Sequence, residues 1–227
     1  MNLFAVLPHT GDFERAWIRY DRWFLDSLSA RAAIESLGPV FPFYLELCYL
    51  VVYAVSLAAL AVLFRSGRAH HAPTLWLAYL AGTLGAYALF PYFPSDPPRV
   101  VFPGADNPTV LTWARHANLA IVGGYGIHSS VFPSAHVSSA LATAWGLRAA
   151  LPDRPWIWRA FAFYGFSVAL STVYGRYHYA VDALAGIAAS ALAFLALTLR
   201  PSPAPPQHTH TTPSSDTPST RPPSAPR

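Results

Sequence analysis

Lysine does not occur in this chain of 227 residues, and cysteine occurs once, as Cys48. A single cysteine excludes an internal disulfide and leaves the redox compartment unassigned; its place inside an apolar run marks it as a packing residue. Charge of either sign is also scarce. Charged residues make up 11% of the chain, against about 25% in an ordinary soluble domain, while 53% are hydrophobic and 15% aromatic. That balance excludes a conventional soluble domain and fits a chain embedded in a membrane. The formal charge of +4 rests on arginine alone, and the arginines are spaced between apolar runs. A nucleic-acid partner would need them clustered on one soluble face, so none is expected. Residues Met1 to Leu7 lack a basic segment and a long apolar core, so they do not read as a cleavable signal. Insertion is then expected to rely on the first true span.

The length allows one domain with appendages at a prior of roughly 150 residues per domain, and the composition divides the chain in three. Residues 1–38 hold an amphipathic helix from Asp12 to about Glu35. Its apolar residues Phe13, Trp17, Tyr20, Phe24 and Leu28 recur at three and four, with Arg15, Arg19, Asp21, Arg22 and Asp26 between them. Arginine with tryptophan suits a helix lying in the headgroup layer. Residues 39–200 read as the transmembrane domain. A hydrocarbon core of about 30 Å takes roughly 20 residues to cross, and five stretches are candidates: Phe43–Phe64, Thr74–Tyr92, Pro133–Leu151, Trp156–Val173 and Val181–Leu199. The expected fold is therefore an all-α helical bundle of about five spans. The loop from Phe93 to Phe132 is the only long connection, and loops of that size are functional or disordered. Residues 201–227 hold 9 of the 22 prolines with only Ala204 and Ala225 as apolar residues. Such a tail is expected to be disordered.

Alternating five spans through the bilayer gathers Arg65, Arg68, Arg148, Arg154, Arg159 and Arg200 on one side, which the positive-inside rule makes cytoplasmic. The tail falls on that side. The opposite, extracytoplasmic surface receives three short segments: Ser95-Asp96-Pro97-Pro98-Arg99, Phe132-Pro133-Ser134-Ala135-His136, and Gly175-Arg176-Tyr177-His178-Tyr179-Ala180-Val181-Asp182. Each residue type answers a need of phosphoryl transfer. Arg99 and Arg176 offer planar, permanently charged forks for phosphate oxygens, and Ser134 adds a donor. Pro133 suits a first helical turn that aims backbone N–H groups at an anion. His178 and Asp182 are four apart, on one helical face, so the carboxylate would fix one imidazole nitrogen and leave the other to attack phosphorus. His136 would serve as the acid on the departing oxygen.

Together the three segments resemble the signature of the type 2 phosphatidic acid phosphatase superfamily, K-x6-R-P, P-S-G-H and S-R-x5-H-x3-D, over about residues 80–190. The resemblance implies His178 as the nucleophile of a phosphohistidine intermediate, Asp182 as its orienting partner, His136 as acid and base, and Arg99 and Ser134 as phosphate ligands, with no metal or other cofactor. The departures are specific. Tyr92 stands where the family has lysine, Val100 follows Arg99 in place of proline, and Thr172 replaces the arginine six residues before the histidine. Arg176, two residues before His178, is expected to take over that phosphate contact. The variant R-Y-H-Y-x-x-D is similar to the branch that includes inositol phosphorylceramide synthases, so membrane lipids, a lipid phosphate or diphosphate substrate, and a polyol acceptor such as inositol are the implied partners. Water as second nucleophile would make a phosphatase, an alcohol a transferase. The competing reading is a non-catalytic membrane protein that binds or transports a phospholipid headgroup.

Other polar residues read more plainly. His128 could help shape a headgroup pocket, whereas His116, His70 and His71 read as loop and turn residues. Glu46, near the start of the first span, is a default functional candidate, with snorkelling to water the simpler account. Tyr177 and Tyr179 suit interfacial anchoring. No histidine pair has the spacing of a helical zinc motif, and Gly123-Gly124-Tyr125-Gly126 lacks the preceding strand of a dinucleotide fingerprint.

Overall fold

The computed structural model describes residues 6–104, 107–124 and 131–199. The tail at 201–227 and His128 lie outside the described residues. Among the described residues the chain is helical and has no strand. Its elements are α1 (Asp12–Arg22), a π-helical turn (Trp23–Ser27), α2 (Ala30–Ser36), α3 (Val40–Val51), α4 (Val55–Arg65), α5 (Ala72–Tyr87), α6 (Pro98–Val101), α7 (Trp113–Gly124), α8 (Ala135–Ala150), α9 (Pro155–Tyr174) and α10 (Ala180–Thr198).

Among the described residues, three segments are long and apolar enough to cross a membrane: Val40–Arg65, Ala69–Tyr92 and Ala180–Thr198. The other two expected spans, α8 and α9, differ for physical reasons. At about 1.5 Å per residue, the 16 residues of α8 fall short of a hydrocarbon core of about 30 Å. They are also enclosed by α5, α9 and α10. The apolar surface of α8 is thus matched to protein rather than to lipid. The 20-residue α9 has the length but carries Arg159 and a polar run at Ser167, Ser171 and Thr172.

Close packing around α8 depends on small residues, as is usual where helices associate without a strong hydrophobic drive. A Cβ at Gly82 of α5 would lie 2.5 Å from the Ala142 Cβ, and Ser138 of α8 donates its hydroxyl to the Gly82 carbonyl at 2.8 Å. The span Val40–Arg65 is broken by a 3-10 turn at Val52–Ala54. There the Val52 N–H bonds to the Tyr49 carbonyl, so the Cys48 carbonyl loses its helical donor; the Tyr164 hydroxyl supplies one at 2.8 Å.

The N-terminal helix ends earlier than its periodicity predicts. A π-turn follows Arg22, and Ser29 adopts a left-handed backbone (φ 56) that separates α1 from α2. The buried stripe is Glu14, Trp17, Ile18 and Asp21, a spacing of three, four and seven. Trp17 stacks on Phe132 with ring centroids 5.1 Å apart and meets Tyr179 edge-on. This face of the expected headgroup helix is therefore covered by protein, while Tyr20, Trp23 and Leu28 are exposed.

The long connection contributes α6 and α7. Glu46 of α3 does not snorkel to water: it is 1% exposed and accepts from Arg115 Nη1 at 2.8 Å, Asn118 Nδ2 at 2.8 Å and the Tyr177 hydroxyl at 2.6 Å. A buried carboxylate needs this many donors to offset its lost hydration. The result clamps α7 onto α3.

Candidate active site

The turn between α9 and α10 carries the candidate nucleophile. It forms because the Thr172 carbonyl accepts both the Tyr177 and His178 N–H groups, at 2.9 and 3.1 Å, closing the end of α9. Thr172, which stands where the resembled signature has an arginine, acts here through its main chain. Arg176 follows with a left-handed backbone (φ 62), a conformation that costs a non-glycine residue free energy unless its surroundings hold it. They do. Its Nη1 donates to Asp21 of α1 at 2.7 Å, with both side chains buried. The second Asp21 oxygen accepts the Ala180 N–H at 2.7 Å, so α1 is tied to both sides of the turn.

His178 and Asp182 do meet, but through a helix cap rather than a shared helical face. His178 lies before α10, Tyr179 is the N-cap, and Asp182 is the third helical residue. Asp182 Oδ2 accepts the Tyr179 N–H at 2.9 Å and lies 3.3 Å from His178 Nδ1. The cap holds the carboxylate in place before it orients the imidazole. Both residues are buried. Burial first, and then the nearby Arg99 guanidinium, push the His178 imidazole down to about 3, with the Val131 carbonyl opposing. The ring is therefore neutral near pH 7, the form a nucleophile needs.

The segment that opens α8 approaches from the other side. The Phe132–Pro133 peptide is cis, and the helix begins at Ala135 with Ser134 as its N-cap, accepting from the Val137 N–H at 3.4 Å. Pro133 thus precedes the cap rather than occupying the first turn. The Ser134 N–H is bonded to the Asp182 carbonyl at 2.9 Å, which joins the starts of α8 and α10. Contact is close enough that a Cβ at Gly186 would sit 2.6 Å from the Ser134 carbonyl. The His136 ring comes to 5.8 Å from that of His178, centroid to centroid.

Arg99 completes the group. Its N–H donates to the Arg176 carbonyl at 3.2 Å, its Nη1 lies 3.4 Å from the Tyr177 carbonyl, and its guanidinium faces the Tyr177 ring. Among the described residues no carboxylate lies within ion-pair distance of it. Burial lowers its pKa from the ordinary value, yet a guanidinium stays charged at any physiological pH. Arg99, Ser134, His136, His178 and Asp182 are therefore brought together. Arg176 shares their turn, with its guanidinium directed to Asp21.

Several contributors had a signal in the sequence that apolar counting passes over. Glu14 and Asp21 fall on the same stripe as Trp17 and Ile18, which places two carboxylates on a buried face. Arg115 and Asn118, three apart on α7, mark a polar face with no such cue to its partner. Among the described residues, the metal-ligating side chains that gather are His9, Glu14 and Asp96, with donor atoms within 4.8 Å of one another. Hydrogen bonds account for part of this cluster: Glu14 contacts His9 and accepts the Asp96 N–H at 2.9 Å.

Neither a curated protein nor a solved structure matches the chain. A family model does, over residues 17–196, and it describes the PAP2 superfamily. The matched stretch runs from α1 to α10 and contains all three motif segments with the histidine pair, the carboxylate and the arginine whose geometry is given above. On that match the chain belongs to the PAP2 superfamily.

Proposed function

We propose that this protein is a membrane-embedded enzyme that displaces a group at the phosphorus of a lipid phosphate or diphosphate through a phosphohistidine on His178. The observation that carries this reading is the buried His178–Asp182 contact facing a second histidine and an arginine, Arg99, that has no carboxylate partner among the described residues. Holding a phosphate needs cations and donors. It does not need a neutral imidazole oriented by a carboxylate.

In the first step His178 Nε2 attacks phosphorus in line, the bond to the leaving oxygen breaks, and His136 delivers a proton to that oxygen. In the second, His136 takes a proton from water or an alcohol, which attacks the phosphohistidine and returns His178 to its neutral form. Arg99, the Ser134 hydroxyl and the first amides of α8 stabilise the non-bridging oxygens. Arg176 joins this set by exchanging Asp21 for the incoming dianion; otherwise it acts as the tether of α1. The cationic role rests on arginine, so the reaction as proposed requires no metal.

Three apolar segments indicate an integral membrane protein. In this reading α8 and α9 complete a five-helix core within 39–200, the site opens at the extracytoplasmic surface, and the exposed Tyr20, Trp23 and Arg19 of the N-terminal region face the headgroup layer. Water yields a phosphatase, and a polyol such as inositol yields a transferase.

The test uses detergent-purified protein in chelator with a panel of lipid phosphates and diphosphates, with and without polyol acceptors, and His178→Ala as the blank. Phosphate release abolished by His178→Ala is expected of a phosphatase. Acceptor phosphorylation with suppressed release is expected of a transferase. No product from any substrate would favour a headgroup binder.

A further inference from the structure

The proposed reaction asks two things of His136. One ring nitrogen must exchange a proton with the leaving or entering oxygen, and the other must keep its proton throughout. The structure distinguishes the two nitrogens. Nε2 lies 3.2 Å from the Tyr53 hydroxyl, while Nδ1 is buried with no hydrogen-bond partner among the described residues. Tyr49 and Tyr53, four apart on the first span, flank the imidazole. The Tyr49 ring is 5.0 Å away, and the Tyr53 ring stands edge-on at 5.3 Å. The ring is thus confined on two sides and held by one hydrogen bond.

We propose that Tyr53 is a positioning residue for the acid–base step: its oxygen accepts from His136 Nε2–H and leaves Nδ1 as the nitrogen that gives and takes the proton. The assignment rests on the reaction proposed above. It also gives the two histidines different orienting groups, for a physical reason. A carboxylate beside the nucleophile favours the cationic character that His178 gains on bonding to phosphorus. Beside the general acid the same charge would hold the imidazolium proton too firmly for transfer. A neutral phenol oxygen fixes ring direction and tautomer without that penalty. Tyr53 fits this role by chemistry as well as by distance.

The experiment compares wild type and Tyr53→Phe, as full chains in detergent, on two substrates. One is a phosphate monoester of an unactivated alcohol, such as a diacylglycerol phosphate, whose leaving oxygen needs a proton. The other is 4-nitrophenyl phosphate, whose phenolate departs without one. The readout is kcat/KM, which reports the step that transfers phosphorus to His178. We expect a fall of about tenfold on the alkyl ester and less than about twofold on the nitrophenyl ester. In a His136→Ala background the Tyr53→Phe change should no longer alter the residual rate, a result that a merely loosened fold would not produce. Equal losses on both substrates, no loss on the alkyl ester, or additive losses with His136→Ala would overturn the role of Tyr53 while leaving the His178 chemistry intact. Wild-type turnover that survives His178→Ala would overturn the underlying reaction and this role together.

Discussion

Among single residues, the neutral His178 imidazole links the proposed catalysis to stability. Its folded value of about 3 lies below the ordinary 6.5, so between these values the unfolded chain binds more protons than the folded one. Stability therefore rises with pH across that window and levels off above 6.5. Wild-type protein should lose melting temperature between pH 7 and pH 5, and His178→Asn should lose less over the same interval. A loss that is the same or larger in the variant would show that the imidazole is not held in its neutral form. His178, Asp182 and His136 were visible as candidates in the three motif segments, since phosphoryl transfer calls for such groups at short range. Tyr53 was not, since a tyrosine in an apolar span has ordinary packing roles, and only the fold shows that it meets His136.

Among the elements, two contacts decide whether the site assembles. The starts of α8 and α10 are in contact because residue 186 has no side chain. Gly186→Ala would set a Cβ 2.6 Å from the Ser134 carbonyl, displacing the segment that carries His136. Overpacking of this kind costs about 1–3 kcal/mol. Activity is expected to fall by at least about tenfold while the helical circular-dichroism signal is retained, because a small displacement at a catalytic group is amplified in rate. The second contact is the clamp of α7 on α3. Glu46→Gln leaves the Arg115 guanidinium buried, 3% exposed, without its counter-charge. Breaking one side of such a pair costs about 3–5 kcal/mol, to be measured by denaturant unfolding. The double substitution Glu46→Leu with Arg115→Met should recover at least half of that loss. An unchanged unfolding midpoint in Glu46→Gln would mean that water enters the clamp. In the sequence Glu46 stands out as an ionisable residue near the start of an apolar span, with no cue to Arg115 as its partner. Nothing in local spacing pairs residues 69 positions apart.

For the whole molecule, the proposed five-span topology makes a prediction that arginine counting alone cannot check. In a Cys48→Ser background, cysteines at Leu111, between α6 and α7, and at Asp153, between α8 and α9, should be labelled by an impermeant reagent from opposite faces of the membrane. Leu111→Cys is expected outside and Asp153→Cys inside. Labelling of both from one face would remove α8 from the spanning set and leave it as an internal helix. Its enclosure by α5, α9 and α10 already explains why it is short.

Two things are legible from the order of residues alone: a helical class, because long apolar runs must satisfy their own backbone hydrogen bonds, and membership of the PAP2 superfamily, because histidines, a carboxylate and an arginine recur in its pattern. The tertiary structure decided how those groups are held. The His178–Asp182 contact is a helix cap, not a helical face. Arg176 is directed to Asp21 on α1, the first span is broken at Val52–Ala54, and the N-terminal helix packs Trp17 against Phe132 and Tyr179 of the motif segments. The physical reason is the same in each case. Local spacing sets which residues an element presents, whereas the partner of a buried polar group is chosen by which other element arrives with a complementary charge or donor, and that choice is made only when the helices pack.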